Sequence, residues 1–291
     1  KNALYPMEYE ELRHYFDRSS GTIRVIHRLI EEIVSQTFEP GKGISPEEVN
    51  LKVMASLKEK KGLGDGHLLE KLRELVKTGY LFVRQVKQPP VIDGEIHPEE
   101  WGEPAYSGHF FEVFSVDDQS PYSTTVWAVE NGEKLFLAFD CQGDVSALGG
   151  QVTGINTDSG AYPRMLQDDT ISVNFHHQGF TSHVVRVNIN NALQDSRQVT
   201  QARVSRTKQG WQVEMALELN KIAASKETVK KSPTWLGLAR VYRIKSEDGK
   251  KIEARVSTLA PIADIGGNIG NGNHPGCLYF MWGPRVIYQQ P

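Results

Sequence analysis

Chemistry carried by side chains has few places to sit in this chain. His176-His177 with His183 invite a metal reading, but adjacent residues of a strand point to opposite faces, so the pair needs a distorted backbone to share one zinc ion. Asp140, Asp144, Asp158, Asp168 and Asp169 lie near the ends of strand-like runs, and calcium is bound by several oxygens from such loops. Solvated turn acids are the competing reading, so Asp140, Asp144 and Asp169 stand as weak metal candidates and a structural calcium as the one cofactor to look for. A carboxylate pair for glycoside cleavage needs two acids across one bond, and no two are singled out here. The segment from Asp264 to Gly276 holds five Gly, three Asn and one His. Glycine lets backbone approach a ligand, and Asn271, Asn273 and His274 offer side-chain hydrogen bonds, although a long loop with left-handed turns has the same composition. Nucleotide, metalloprotease, hydrolase and CxxC signatures are absent from the sequence, so no catalytic residue is assigned.

Composition bounds the rest. The net charge of −3 over 291 residues gives no basic surface of the kind nucleic acid requires. With 39% hydrophobic and 24% charged residues, the chain has enough apolar material for real cores, and its length suggests about two domains. No apolar run is long enough to span a membrane as a helix. Two cysteines, Cys141 and Cys277, are too few for a disulfide framework and lack metal spacing; both fall in apolar runs and read as buried thiols, with a single bridge as the alternative. Trp101, Trp127, Trp211, Trp235 and Trp282 stand in or beside apolar runs, where packing is the ordinary role of a large aromatic.

The elements that must position these residues change character along the chain. Ile23, Ile26, His27, Ile30, Ile33 and Val34 fall on one helical face. Ser45-Pro46-Glu47-Glu48 is a helix start, and Leu68, Leu69, Leu72, Leu75 and Val76 form a further helix closed by Gly79. Followed by a short strand at Tyr80–Val86, these helices resemble a winged-helix arrangement. A DNA-reading helix would begin with exposed basic and amide residues, whereas this one begins Gly66-His67-Leu68-Leu69-Glu70, so an adaptor for a protein partner, or the end of a larger upstream domain, is the preferred expectation and nucleic acid is not expected. Gln88-Pro89-Pro90 reads as a linker, which divides the chain into a helical unit over 1–88 and a second unit over 89–291.

Beyond the linker, short alternating runs predict strands at Thr124–Ala128, Lys134–Asp140, Thr170–Phe175, His183–Asn190, Gln201–Thr207, Gly210–Leu219, Trp235–Ile244, Ile252–Thr258 and Cys277–Trp282. Turn pairs such as Asn131-Gly132 and Asp248-Gly249 separate them, and no long helix alternates with them. The expected class is mainly β: an antiparallel two-sheet β-sandwich with a small N-terminal helical domain.

Several of these segments, in order, resemble family-9 carbohydrate-binding modules, a group overlapping the DOMON-like sandwiches. The opening Pro90-Val91-Ile92-Asp93-Gly94-Glu95-Ile96 with Glu99-Glu100-Trp101 is similar to theirs, as are Thr125–Ala128 with Glu133–Phe139, Asp169–Phe175, Val185–Asn188, Gly210–Leu217 and Gly276–Phe280. The resemblance implies a non-catalytic sandwich that binds poly- or oligosaccharide, attached to or partnering a glycoside hydrolase in a secreted or periplasmic protein. In sugar-binding members two exposed tryptophans clamp the sugar. Leu166 and Ile269 stand at those positions here, and Ser172 replaces a glutamate, so the clamp is degenerate. Arg186 and Asn188 fit positions that contact sugar, and two residues apart on a strand they share one face. Ser172, Arg186, Asn188, Asn271, Asn273 and His274 are therefore the expected ligand-binding set, with a plain Arg186–Asp169 ion pair as the structural alternative. Two other functions fit the same sandwich: a protein-interaction module with a helical adaptor, and a haem-binding domain using a Met such as Met165, Met215 or Met281, for which no paired axial ligand is evident.

Overall fold

Alternating apolar residues bounded by turn formers build strands wherever the described chain contains them. The computed structural model describes residues 80–112, 118–154, 165–177, 183–222, 234–246, 248–259 and 285–289, together with Ala55. Twelve strands are present among them: β1 Tyr80–Gln85, β2 Tyr106–Glu112, β3 Gln119–Glu130, β4 Lys134–Gln142, β5 Thr170–His177, β6 His183–Asn188, β7 Leu193–Asp195, β8 Thr200–Arg206, β9 Gly210–Glu218, β10 Thr234–Lys245, β11 Ile252–Thr258 and β12 Arg285–Gln289. Two single-turn helices, α1 Pro98–Trp101 and α2 Leu219–Ile222, complete the elements. At the β3–β4 turn, Gly132 takes φ +86 and the Asn131 side chain accepts the Glu133 and Lys134 amides, which is the chemistry an Asn-Gly turn requires.

The strands run in the order β7-β6-β5-β10-β11-β2-β3-β4-β9-β8. Every neighbour along this path is antiparallel. Only two residue pairs, Ser257↔Glu112 and Thr258↔Phe111, join β11 to β2. The path therefore folds there into two layers, and β1 and β12 close the other side by linking β3 to β10. Ile171, Val173, Val185, Val187 and Leu238 face inward from one layer; Val126, Leu137, Phe139, Val213 and Met215 face them from the other. This is the antiparallel two-sheet sandwich, nearly closed on itself, that the alternation predicts.

Strand β1 departs from the expected domain boundary. It lies parallel to both β12 and β3, and Leu81 and Val83 are buried in the shared core. The β unit thus begins by Tyr80, and the prolines at 89–90 connect two parts of it rather than dividing two domains; the predicted helices of residues 1–79 lie outside the described residues. Strands β2, β7 and β12 are additions to the expected set, and the strand expected at Cys277–Trp282 lies outside the described residues. Cys141 is a buried free thiol that burial pushes up to about 12, as its apolar run implies; Cys277 is outside the described residues.

The segment after the prolines is clamped onto the outer face of β4 and β9. Buried Glu214 on β9 accepts the amides of Asp93 at 3.0 Å and Gly94 at 2.7 Å, and the Trp101 indole N–H at 2.7 Å. Gly94 takes φ +102, and a Cβ there would come within 3.2 Å of the Val204 backbone, so both conformation and space require glycine. Pro98 opens the single turn of α1, which delivers Trp101 into a cluster with Val129, Phe136, Ala138 and Ala216.

Candidate functional site

The layer β7-β6-β5-β10 turns one face to the main core, and the polar residues of its opposite face are buried as well. Because Ile171, Val173, Val185 and Val187 point inward, Thr170, Ser172, Asn174, Arg186 and Asn188 share the opposite face. The register sets Ser172 directly across from Arg186 and Thr170 across from Asn188. Gln194 of β7 lies across from Arg186 on the other side and accepts its Nη1–H at 3.1 Å. Three polar side chains thus form one cross-strand row, Ser172–Arg186–Gln194. Arg186 is only 8% exposed, so its stem is packed and its fork is held rather than waving in solvent.

Asn188 has a different duty from the one expected. Its Nδ2 donates to Val152 O at 2.9 Å and to Asp168 Oδ2 at 2.8 Å, and its Oδ1 accepts the Asn190 and Ala192 amides. Asp168 also accepts the Gln151 and Val152 amides. Asn188 is fully buried, and these bonds tie the loop at 149–154 and the turn after β6 to the start of β5. Asp169 is bound similarly, by the amides of Gly149 and Arg243, and burial raises its carboxyl above the ordinary value despite those bonds. The ion pair considered between Arg186 and Asp169 is replaced by these backbone contacts on the acid and by Gln194 on the arginine.

The other expected residues separate. Asp144 caps its own turn through the Ser146 hydroxyl and amide, whose hydrogen bonds hold its carboxyl below the ordinary range. Asp140 is half-buried, raised by burial, and hydrogen-bonded to Gln212. Among the described residues no three His, Cys, Asp or Glu side chains form a group able to hold a metal ion. His183, grouped with His176-His177 by sequence, sits in the core-facing row with its Nε2 2.6 Å from Asp195 Oδ1. The side chains of His176 and His177, and Asn271, Asn273, His274 and Met281, lie outside the described residues. Met215 is buried in the main core and Met165 in a small cluster with Val152 and Ala192, so both are spent on packing. Gln194 carries no sequence signal, since β7 has three residues, and Asp168 is legible only as one of several acids near strand ends, with nothing to mark its bond to Asn188.

The fold is shared with a candidate carbohydrate-binding protein of known structure from Bacteroides uniformis. The two align at a TM-score of 0.50 and 11% identity, over 73% of this chain and 100% of that one. Two structures of a family-9 carbohydrate-binding module from Caldicellulosiruptor kristjanssonii also align. The complex with cellotriose does so at a TM-score of 0.48 and 12% identity over 73% of this chain and 94% of that one. The complex with glucose does so at 0.44 and 13% identity over 72% and 96%. No family model and no curated protein matches the chain. No helix among the described residues is long and apolar enough to cross a membrane.

Proposed function

We propose that the sandwich is a non-catalytic carbohydrate-binding domain of a secreted polysaccharide-processing protein. The observation that carries this reading is the fold shared with the Bacteroides uniformis protein over that protein's full length. The family-9 resemblance of the segment around Asp93-Gly94 and Trp101 supports it, because the clamp on Glu214 gives those residues a physical reason to recur together. Ligand contact is assigned to the row Ser172–Arg186–Gln194 with Asn271, Asn273 and His274 of the glycine-rich loop, while Asn188 holds the neighbouring loop. An arginine held by its packed stem offers a planar fork to paired hydroxyls or a carboxylate, which favours a uronate-containing glycan.

A glycan array probed with the full chain tests the reading. Retention on one or more polysaccharides is expected, with loss of retention in Arg186→Ala at an unchanged melting temperature. A lowered melting temperature with unchanged retention would make Arg186 structural and the site assignment wrong.

A further inference from the structure

The second layer, β2-β3-β4-β9-β8, carries a feature that the Arg186 face does not absorb. Its inward residues are Val126, Phe139, Cys141 and Val213, so Thr125, Asp140 and Gln212 point out. The register lines up Ser107, Thr125, Asp140, Gln212 and Ser205 in one row across five strands. A second row beside it contains His109, Ser123 and Gln142. Ser107 and His109 are exposed, and Ser123, Thr125, Asp140 and Gln142 are half-exposed. Ser107 and Thr125 share a hydroxyl–hydroxyl contact of 3.0 Å.

One side of this strip ends at a wall. Residues 93–102 cover the next row, where Ala138 and Glu214 are fully buried, and three contacts seat them: Ser205 Oγ donates to Gly94 O at 2.6 Å, the Ile96 amide donates to Gln212 at 3.3 Å, and the Trp127 indole N–H donates to Gly102 O at 3.0 Å. Half-exposed Trp127 stands at the foot of the wall, beside Thr125 and Asp140.

We propose that this strip is a second ligand surface, taking a neutral polysaccharide chain laid across β2, β3 and β4 against Trp127. The inference rests on the carbohydrate reading and extends it to the opposite layer. The strip has no Lys or Arg to attract an anionic chain, and its one carboxylate is engaged by Gln212. Among the described residues the exposed large apolar side chains, Val91, Val145 and Ile252, lie off the strip, so it lacks the apolar centre of a protein interface. What it presents is hydroxyls and amides at the spacing between strands, about 4.8 Å, close to the length of a sugar ring, with the partly exposed Trp127 at its border.

Native gel retardation by hydroxyethyl cellulose and by xylan, using the full chain, tests this. Thr125→Arg with Gln142→Arg places two long side chains across the strip and is expected to weaken retardation about tenfold or more, the loss that accompanies removal of one or two hydrogen-bonding contacts. Ser123→Ala with Gln142→Ala, which adds no bulk, is expected to weaken it in the same direction, and serves if the arginine variant does not fold. Retardation of the wild type with both variants equally retarded overturns the strip and leaves the carbohydrate reading standing. A wild type retarded by neither polymer, yet retained on charged glycans, overturns the strip alone; one bound by no glycan overturns both.

Discussion

Glu214 sits beneath the entering chain and takes three N–H groups that water would otherwise satisfy. Burial raises its carboxyl, and the bonds from Gly94, Trp101 and Asp93 work against that rise, so the charge is tolerated only while its partners stay in place. Trp101 joins the same knot through its indole and fills the cluster on the outer face. Trp101→Ala should cost about 3–5 kcal/mol in urea unfolding, because it both empties a cavity and removes a donor to a buried carboxylate. An unchanged unfolding midpoint would mean the tryptophan does not anchor this segment. Asp195 gives a pH test. Burial would raise it, but bonds from His183, the Arg197 amide and Thr200 prevail and hold it well below the ordinary range. A carboxyl depressed by folding contributes stability above its unfolded pKa, about 3.9, and loses it as pH falls through the lower folded value. The wild type should therefore lose stability on acidification below about pH 5, and Asp195→Asn should flatten that slope while lowering stability at neutral pH. Identical slopes in the two proteins would remove Asp195 from the account.

At the scale of elements, strand β1 carries the sharpest expectation. Leu81 is fully buried against both layers, so Leu81→Ala in the full chain should destabilise the sandwich by about 2–5 kcal/mol. A sandwich transition that does not move would mean that β1 docks without joining the cooperative unit. Sequence reading failed here for a physical reason: Tyr80–Gln85 follows a helical period directly and precedes two prolines, so local signals group it with the helices, while its partners β3 and β12 are far along the chain. Strand β2 escaped notice because a register shift between His109 and Phe111 breaks its alternation, and β7 because three residues show no period. The strands from β3 to β6 and from β8 to β11 were legible because their inward residues alternate and turn formers bound most of them. That Arg186 and Asn188 share one face followed from period two; that Ser172 joins them follows only from the β5–β6 register. That Asn188 is taken up by a buried hydrogen-bond knot while Arg186 bonds Gln194 did not follow from period two, because Val152, Asp168 and Gln194 meet them only through register and loop closure.

The whole molecule, over its described residues, has two polar sheet faces around one core: a buried row centred on Arg186 on β5, β6 and β7, and a partly exposed polar strip with the single carboxylate Asp140 on β2, β3 and β4. Elsewhere in the fold, the buried carboxylates Asp169, Asp195 and Glu214 are occupied by amides and side-chain donors that hold loops in place. These hydrogen bonds give each of the three carboxylates a structural role. Binding without turnover is the central claim. The most direct measurement incubates the full chain with the polysaccharide that retains it best and reads bound protein and newly formed reducing ends in the same tube. The account predicts protein in the bound fraction and reducing ends at the level of a protein-free blank. Reducing ends that rise with time and protein concentration, or protein that stays unbound across every polysaccharide offered, would contradict it.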